Sequence, residues 1–271
     1  MSKTVLITGA TGSIGRKLRA HFATLGWTQR LLCLNPARDP KVRTADLTEY
    51  DEAWAAQFAG VDAVIHLAGV PSPLATWAEA VRVNVDMTMH VVRAARAHGA
   101  KRVVFASSNW VMAGRRFGTE RLTTDLPPYP LNPYGVSKLM GERIGASAAA
   151  EGLSFIALRI GFCQHSPGNL PGPHMLYGAW GQLMWLSDRD LCDAMERAVL
   201  AEGVGFAVLN LMSDNPGMRW DIDATRRVIG YAPRDGAAAV VTDAIRRQEE
   251  SARRMRELGQ DLERSVMEAE W

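Results

Sequence analysis

Over the first 160 positions, short runs of uninterrupted apolar residues alternate with longer stretches where apolar positions recur every three or four residues. The runs Thr4–Thr8, Leu31–Leu34, Ala63–Leu67, Arg102–Ala106 and Phe155–Ile160 have the continuous apolar character of parallel strands covered on both faces. Val42–Ala45 is a further strand-like run. Between them, Ser13–Leu25, Tyr50–Phe58, Ala78–Ala97 and Tyr134–Ala150 carry the helical period. This alternation predicts an α/β fold, a doubly wound parallel sheet, over residues 1–160.

The pattern changes after Ile160. Residues 164–173 contain three prolines and two glycines and read as loop. Trp180 and Trp185 follow; then come a helix over Asp188–Leu200, a strand over Phe206–Met212, and a short helix over Ile222–Ile229 ahead of a turn at Tyr231–Pro233. Residues 161–236 are expected to form a small substrate-binding region interleaved with the last elements of the sheet. From Ala237 to the end at residue 271 the chain reads as one charged helix, with no glycine between Ala237 and Leu258. Its charges, among them Arg246, Arg247, Glu249, Glu250, Arg253 and Arg254, suit a solvated face or a dimer contact.

Composition narrows the function classes. The 271 residues are 47% hydrophobic and 22% charged, an ordinary globular balance, and no apolar run approaches the ~20 residues of a membrane span. Residues 1–8 already read as a buried strand, so no cleavable leader is expected. A net charge of +2, without a basic block interleaved with aromatics, does not point to nucleic acid. The three cysteines, Cys33, Cys163 and Cys192, lack metal-binding spacing and read as free thiols in a reducing compartment. A cytoplasmic, metal-free protein is expected.

Chemistry first appears at the turn after the opening strand. Thr4–Thr8 runs into Gly9-Ala-Thr11-Gly12-Ser13-Ile14-Gly15, where a helix begins. Glycines at such a turn let backbone N–H groups approach a pyrophosphate, with the positive helix end facing the anion. This is the signal of a Rossmann dinucleotide site. Enzymes preferring NAD usually place an acid at the end of the second strand. Here stands Asn35, followed by Arg38, which could pair with a 2′-phosphate or lie in a surface turn. Asp46 and Leu47 are a second adenine-side pair. NAD and NADP both stay open, with NAD ahead because no basic cluster is evident.

Asn132 and Pro133 then open a helix that carries Tyr134 and Lys138 four residues apart on one face. A phenol near pKa 10 is a poor base, and a neighbouring ammonium stabilises its anion. Loss of hydride from a carbinol carbon needs such a base for the hydroxyl proton. The fifth strand ends at Ser107-Ser108-Asn109, where ligands meet parallel sheets, and the Ser108 hydroxyl can orient the reacting oxygen.

With these motifs the chain resembles the extended short-chain dehydrogenase/reductases of the NAD-dependent epimerase/dehydratase type over nearly its whole length. The resemblance rests on TGATGSIG, DAVIHLAG, Asn84 in VRVNVDMT, VVFASSN and YGVSK. It implies that Ser108, Tyr134 and Lys138 form a catalytic triad. It also implies that Leu67, Ala68, Gly69, Asn84 and Ile160 line the cofactor beside Gly9, Thr11, Gly12, Ser13, Ile14 and Gly15. Within that family the chain is most similar to uronate dehydrogenases, in ARAHGAKRVVFASSN, PYGVSKLMGE and ALRIG. An NAD(P)-dependent sugar dehydrogenase is therefore expected. Its substrate would be an acidic hexose, a uronate or a 6-sulfonated glucose such as sulfoquinovose, oxidised at the anomeric hydroxyl to the lactone. A homo-oligomer is also expected.

The chain departs from that group where the sugar binds. Trp110 stands in place of a His and Phe162 in place of a Ser, and no Arg lies between Arg159 and Arg189. Ser72, Ser108, Asn109, Trp110, Phe162, His165 and His174 are the expected substrate contacts. His165, His174, a Trp indole or the Arg115–Arg116 loop is left to hold an anion. Alternatives stand beside this reading: a neutral aldose as the substrate, a nucleotide-sugar epimerase or reductase of the same family, and a non-catalytic dinucleotide-binding regulator. Dehydratase chemistry does not fit, because Asn109-Trp110 occupies the place of an acidic pair.

Overall fold

The structure, a computed structural model, describes residues 2–163 and 167–269. Among the described residues seven parallel strands form one sheet in the order β3-β2-β1-β4-β5-β6-β7. The strands are β1 (Thr4–Thr8), β2 (Thr28–Cys33), β3 (Val42–Thr44), β4 (Ala63–His66), β5 (Arg102–Ser108), β6 (Ser154–Ile160) and β7 (Phe206–Leu211). The order reverses between β1 and β4, and in such sheets ligands bind outside the strand ends at that reversal. This is the doubly wound Rossmann sheet expected from the strand-helix alternation.

The helices are α1 (Ser13–Thr24), α2 (Glu52–Ala55), α3 (Trp77–Ala80), α4 (Met87–Ala97), α5 (Pro133–Ala150), α6 (Gly178–Leu183), α7 (Asp188–Leu200), α8 (Asp223–Ile229) and α9 (Asp243–Ala269). Side chains that alternate along each strand feed two cores. Val5, Ile7, Ile65, Val104 and Ile156 meet α1 and α7 on one face. Leu6, Val64, Val103 and Phe155 meet α2, α4 and α5 on the other. A third, smaller cluster of Val111, Met112, Leu122, Trp180, Met184, Met212 and Trp220 lies outside the sheet, built from the segment after β5 and the region around α6.

Several boundaries differ from the sequence pattern. The helix expected over Ala78–Ala97 is divided by a wide turn at Val81–Asp86, which gives Asn84 its position. A short 3-10 segment, Asn109–Arg115, follows β5 directly. The last helix starts at Asp243 rather than Ala237. Residues up to Val240 are instead drawn into tertiary bonds, the Val240 N–H donating to Gln182 Oε1 and its carbonyl accepting from Gln182 Nε2.

Candidate active site

Two glycines hold the turn after β1. Gly9 has φ of +68°, and a Cβ there would lie 2.9 Å from the Ala68 nitrogen after β4. At Gly15 a Cβ would lie 2.5 Å from the Gly9 carbonyl oxygen, so the turn tolerates no side chain at either place. Helix α1 starts at Gly12 with no side chain capping its first N–H groups and no acid in its first turn. Ser13 and Ile14 belong to that uncapped turn. A cradle closed to carbon but open in N–H donors fits a dinucleotide pyrophosphate.

At the adenine side, Thr11 Oγ1 donates to the Asn35 carbonyl at 2.9 Å and lies 3.0 Å from Cys33 Sγ. The Asn35 side chain accepts from the Ala37 N–H at 2.9 Å, and Arg38 is exposed in a turn with φ of +62°. Asp46 accepts from the Thr48 N–H and hydroxyl, which hold its carboxyl below the usual range. Leu47 is buried behind it, its carbonyl 3.0 Å from His90 Nδ1.

A buried polar chain joins this half of the site to the other. Thr8 Oγ1 accepts from the N–H groups of Leu67 and Ala68, so its own proton goes to His66 Nδ1 at 2.8 Å. His66 Nε2 therefore carries the ring proton and donates to Thr88 Oγ1 at 3.1 Å, and Thr88 donates to the Asn84 carbonyl at 2.6 Å. Burial, with the Lys138 charge nearby, holds His66 neutral at a pKa of about 3. Asn84 accepts from the Val70 N–H at 2.9 Å and donates to Ser137 at 2.9 Å, and Ser137 donates to the Tyr134 carbonyl.

Tyr134 and Lys138 are both buried on α5, whose start is capped as the sequence suggests: Asn132 Oδ1 accepts from the Gly135 N–H, with Pro133 at the first position. Ser108 at the end of β5 hydrogen-bonds the Tyr134 phenol, which draws its pKa down against a larger upward push from burial. Lys138 Nζ is 5.8 Å from the Tyr134 ring centre and 5.1 Å from that of Phe105, and burial lowers its pKa to about 8. A Cβ on Gly69 would come within 2.8 Å of Asn84 Oδ1 and 3.5 Å of Lys138 Nζ, which brings these three predicted positions together.

Helix α5 sits close to the sheet because Gly141 and Gly145 face the Phe105 and Phe155 rings. One turn beyond Lys138, Glu142 takes both Arg159 Nε and Nη2 at 2.9 Å and the Ser107 hydroxyl at 2.6 Å, all buried. This clamp sets the register of α5 on β5 and β6. The sequence carries little local sign of it, since Glu142 and Arg159 are 17 residues apart on different elements.

The remaining candidates divide. Asn109 gives its amide to the Ile160 carbonyl at 3.0 Å, tying the ends of β5 and β6 together. Trp110 meets the Tyr177 ring edge-on at 5.2 Å, and Phe162 meets the same ring at 6.2 Å. The three rings form one aromatic wall in the segments after β5 and β6. Ser72 turns its hydroxyl to the Leu74 N–H in the loop after β4. His174 is exposed, and His165 lies outside the described residues. Tyr177 sits at φ of +68°, a conformation unusual for a large side chain. Among the described residues no group of His, Cys, Asp or Glu is placed to hold a metal, and no helix is long and apolar enough to cross a membrane.

Comparison with known proteins follows this geometry. The model of the NAD dependent epimerase/dehydratase family matches residues 5–171. The NAD-dependent glucose-6-phosphate dehydrogenase of Haloferax volcanii is 34% identical, over 88% of this chain and 95% of its own. The uronate dehydrogenase of Pseudomonas putida is also 34% identical, over 86% of this chain and 84% of its own. A crystal structure of a uronate dehydrogenase variant from Agrobacterium tumefaciens complexed with NAD superposes with a TM-score of 0.74 at 31% identity, covering 92% of this chain and 89% of that one.

Proposed function

We propose that this chain, which belongs to the NAD dependent epimerase/dehydratase family and is an NAD-dependent sugar dehydrogenase, oxidises the anomeric carbon of an acidic hexose to a lactone. The observation that carries the reading is Tyr134 and Lys138 buried one turn apart on α5, with Ser108 buried at the end of β5. On this reading Tyr134 is the base. It takes the proton of the anomeric hydroxyl as the C–H bond gives up its electron pair, so the carbon gains its carbonyl and the ring oxygen makes the product a lactone. Ser108 orients the reacting oxygen. Lys138, whose Nζ lies 5.8 Å from the Tyr134 ring centre, would stabilise the phenolate by its charge.

Bound NAD supplies the acceptor for the hydride and carries a positive charge that favours the phenolate. Gly9, Gly12, Ser13, Ile14 and Gly15 would hold its pyrophosphate, with Thr11, Asn35, Arg38, Asp46 and Leu47 towards the adenosine. Leu67, Ala68, Gly69, Asn84 and Ile160 would line the rest. With Asn35 neutral and Arg38 exposed beside it, NADP is accommodated as well as NAD. Support for an acidic sugar comes from the names of two relatives, whose substrates carry a carboxylate or a phosphate at the sixth carbon. The Trp110–Tyr177–Phe162 wall would shield the sugar from water.

The test is absorbance at 340 nm with NAD and with NADP against uronates, hexose 6-phosphates, 6-sulfonated glucose and neutral aldoses. Reduction with an acidic sugar in preference to its neutral counterpart is the expected result. Reduction with neutral aldoses alone would overturn the substrate class, and no reduction with any sugar would overturn the anomeric reaction.

A further inference from the structure

The adenosine end of the dinucleotide cleft departs from the usual form of such sheets. An enzyme that prefers NAD carries an acid at the end of the second strand, where it bonds the ribose hydroxyls and turns away a 2′-phosphate. The sequence puts Asn35 near that place. In the fold β2 ends two residues earlier, at Cys33, paired with Thr44 of β3. Asn35 is occupied within its own turn, accepting the Ala37 N–H at 2.9 Å. Cys33 instead faces the glycine turn, its Sγ 3.0 Å from Thr11 Oγ1. The side chain at the strand end is therefore a half-buried thiol, neither an amide nor an acid.

The acids nearby do not take its place. Asp39 is held by Arg19, which keeps its carboxyl below the usual range, and Asp46 by the Thr48 N–H and hydroxyl. Arg38 is exposed in the turn after β2, with no hydrogen bond or ion pair from its side chain among the described residues. That turn is tied to the glycine turn by Thr11 Oγ1, which donates to the Asn35 carbonyl at 2.9 Å, and is closed by the Asp39 N–H on the Pro36 carbonyl at 2.9 Å. Ala37 and Arg38 both carry positive φ, +52° and +62°. Such conformations are uncommon outside glycine and cluster where a ligand is clamped. Burial pushes the Cys33 thiol up, but the Thr11 hydroxyl and backbone hydrogen bonds from Thr11, Asn35 and Leu34 outweigh it and bring it below its ordinary value. Cys163 and Cys192, pushed up to about 12 and about 11 by burial, are the less reactive thiols.

We propose that Cys33 sets the dinucleotide choice of this chain: a thiol stands where an acid would repel a 2′-phosphate, and Arg38 pairs with that phosphate, so NADP binds with an affinity comparable to that of NAD. This rests on the reading of the glycine turn as a dinucleotide site, and is independent of which sugar is oxidised. The neutral thiol brings no repulsion to the phosphate and no strong acceptor to the ribose hydroxyls, so neither dinucleotide is favoured there. NAD keeps its hold through the uncapped start of α1, which is common to both cofactors.

The experiment titrates NAD and NADP into the wild type, Cys33→Asp and Arg38→Gln by calorimetry, with no sugar present. NADP is expected to bind the wild type, with an affinity that falls more steeply with salt than that of NAD. Arg38→Gln is expected to weaken NADP roughly 10- to 100-fold, the size of a lost charged hydrogen bond, and to leave NAD within a few fold. Cys33→Asp is expected to weaken NADP at least as far while holding or tightening NAD. In a parallel arm, iodoacetamide labelling of the wild type at Cys33, read by peptide mass, should be blocked by either dinucleotide. NAD binding without NADP binding, an NADP-to-NAD affinity ratio unmoved in Cys33→Asp, or full labelling of Cys33 in the saturated complex overturns the inference and leaves the proposed sugar oxidation standing. Binding of neither dinucleotide overturns the dinucleotide reading itself. Should Cys33→Asp fail to fold, the exposed Arg38→Gln decides with the labelling: an unmoved ratio there overturns the inference.

Discussion

Replacing Lys138 by Met should make the protein more stable while abolishing its turnover. The ammonium is buried, and its pKa falls from 10.5 to about 8 for want of solvent. Each pKa unit corresponds to 1.36 kcal/mol, so holding the charge costs about 3 kcal/mol at neutral pH. The Phe105 ring, 5.1 Å from Nζ, returns about 1 kcal/mol of cation–π attraction. Methionine fills the same space without charge, leaving an expected net gain of about 2 kcal/mol. For a chain of this size that is a rise in Tm of about 4 °C.

The pH dependence supplies the sharper check. Because the folded pKa lies below the unfolded one, the unfolded chain binds more protons between pH 8 and 10.5. Wild-type stability from this group therefore rises with pH across that window, and the cost is fully present below it. Urea unfolding of dinucleotide-free wild type and Lys138→Met at pH 7 and near 10.5 should show a gap that closes as pH rises. A variant less stable than wild type at pH 7, or a gap indifferent to pH, would refute the reasoning. Stability given up for function is the general form of such a site.

Tyr134→Phe should lower kcat more than a thousandfold while dinucleotide affinity, read by fluorescence titration, changes by less than a few fold; ordinary turnover would remove Tyr134 as base. Glu142→Gln leaves the Arg159 guanidinium buried with a neutral partner and should cost about 3–5 kcal/mol in denaturant unfolding. Adding Arg159→Met should restore much of that loss, and an additive double variant would show the pair to be uncoupled. His66, neutral in the folded chain at a pKa of about 3 against 6.5 for the free side chain, contributes stability that is lost as pH falls from 6.5 towards 3. His66→Asn should flatten that acid limb, and an unchanged limb would place its origin elsewhere.

Legibility in the sequence followed distance along the chain. β1, its glycine turn and α1 lie within about twenty residues, and their pattern, turn chemistry and helix start all agree with the observed elements. The same holds for α5, whose cap, proline and paired Tyr134 and Lys138 sit inside seven positions, and for α7, whose bounds match the pattern. Where tertiary bonds compete with local preference, the pattern loses. Residues 237–242 carry a helical composition but lie outside any helix, Val240 bonded at both its N–H and carbonyl by Gln182, almost sixty residues away. The wide turn at Val81–Asp86 interrupts an unbroken apolar period, because Asn84 is bound by both Val70 and Ser137.

The same division separates chemistry from recognition. On the proposed reading proton transfer depends on Ser108, Tyr134 and Lys138, each placed by a strand end or a helix turn that a short motif specifies. The region around α6 is instead joined by distant pairs, Arg116 meeting Tyr177 across 61 residues and Glu249 meeting Ala179 across 70. No short motif can encode such pairs, and substitution of either partner changes the pocket without touching the catalytic strand or helix. Trp110 and Phe162 are legible as departures from uronate dehydrogenases, yet that both meet the Tyr177 ring is seen only in the fold. Related chains can therefore share the glycine turn and YGVSK while differing in the sugar they oxidise, because the residues that differ, Trp110 and Phe162 among them, lie outside the motifs.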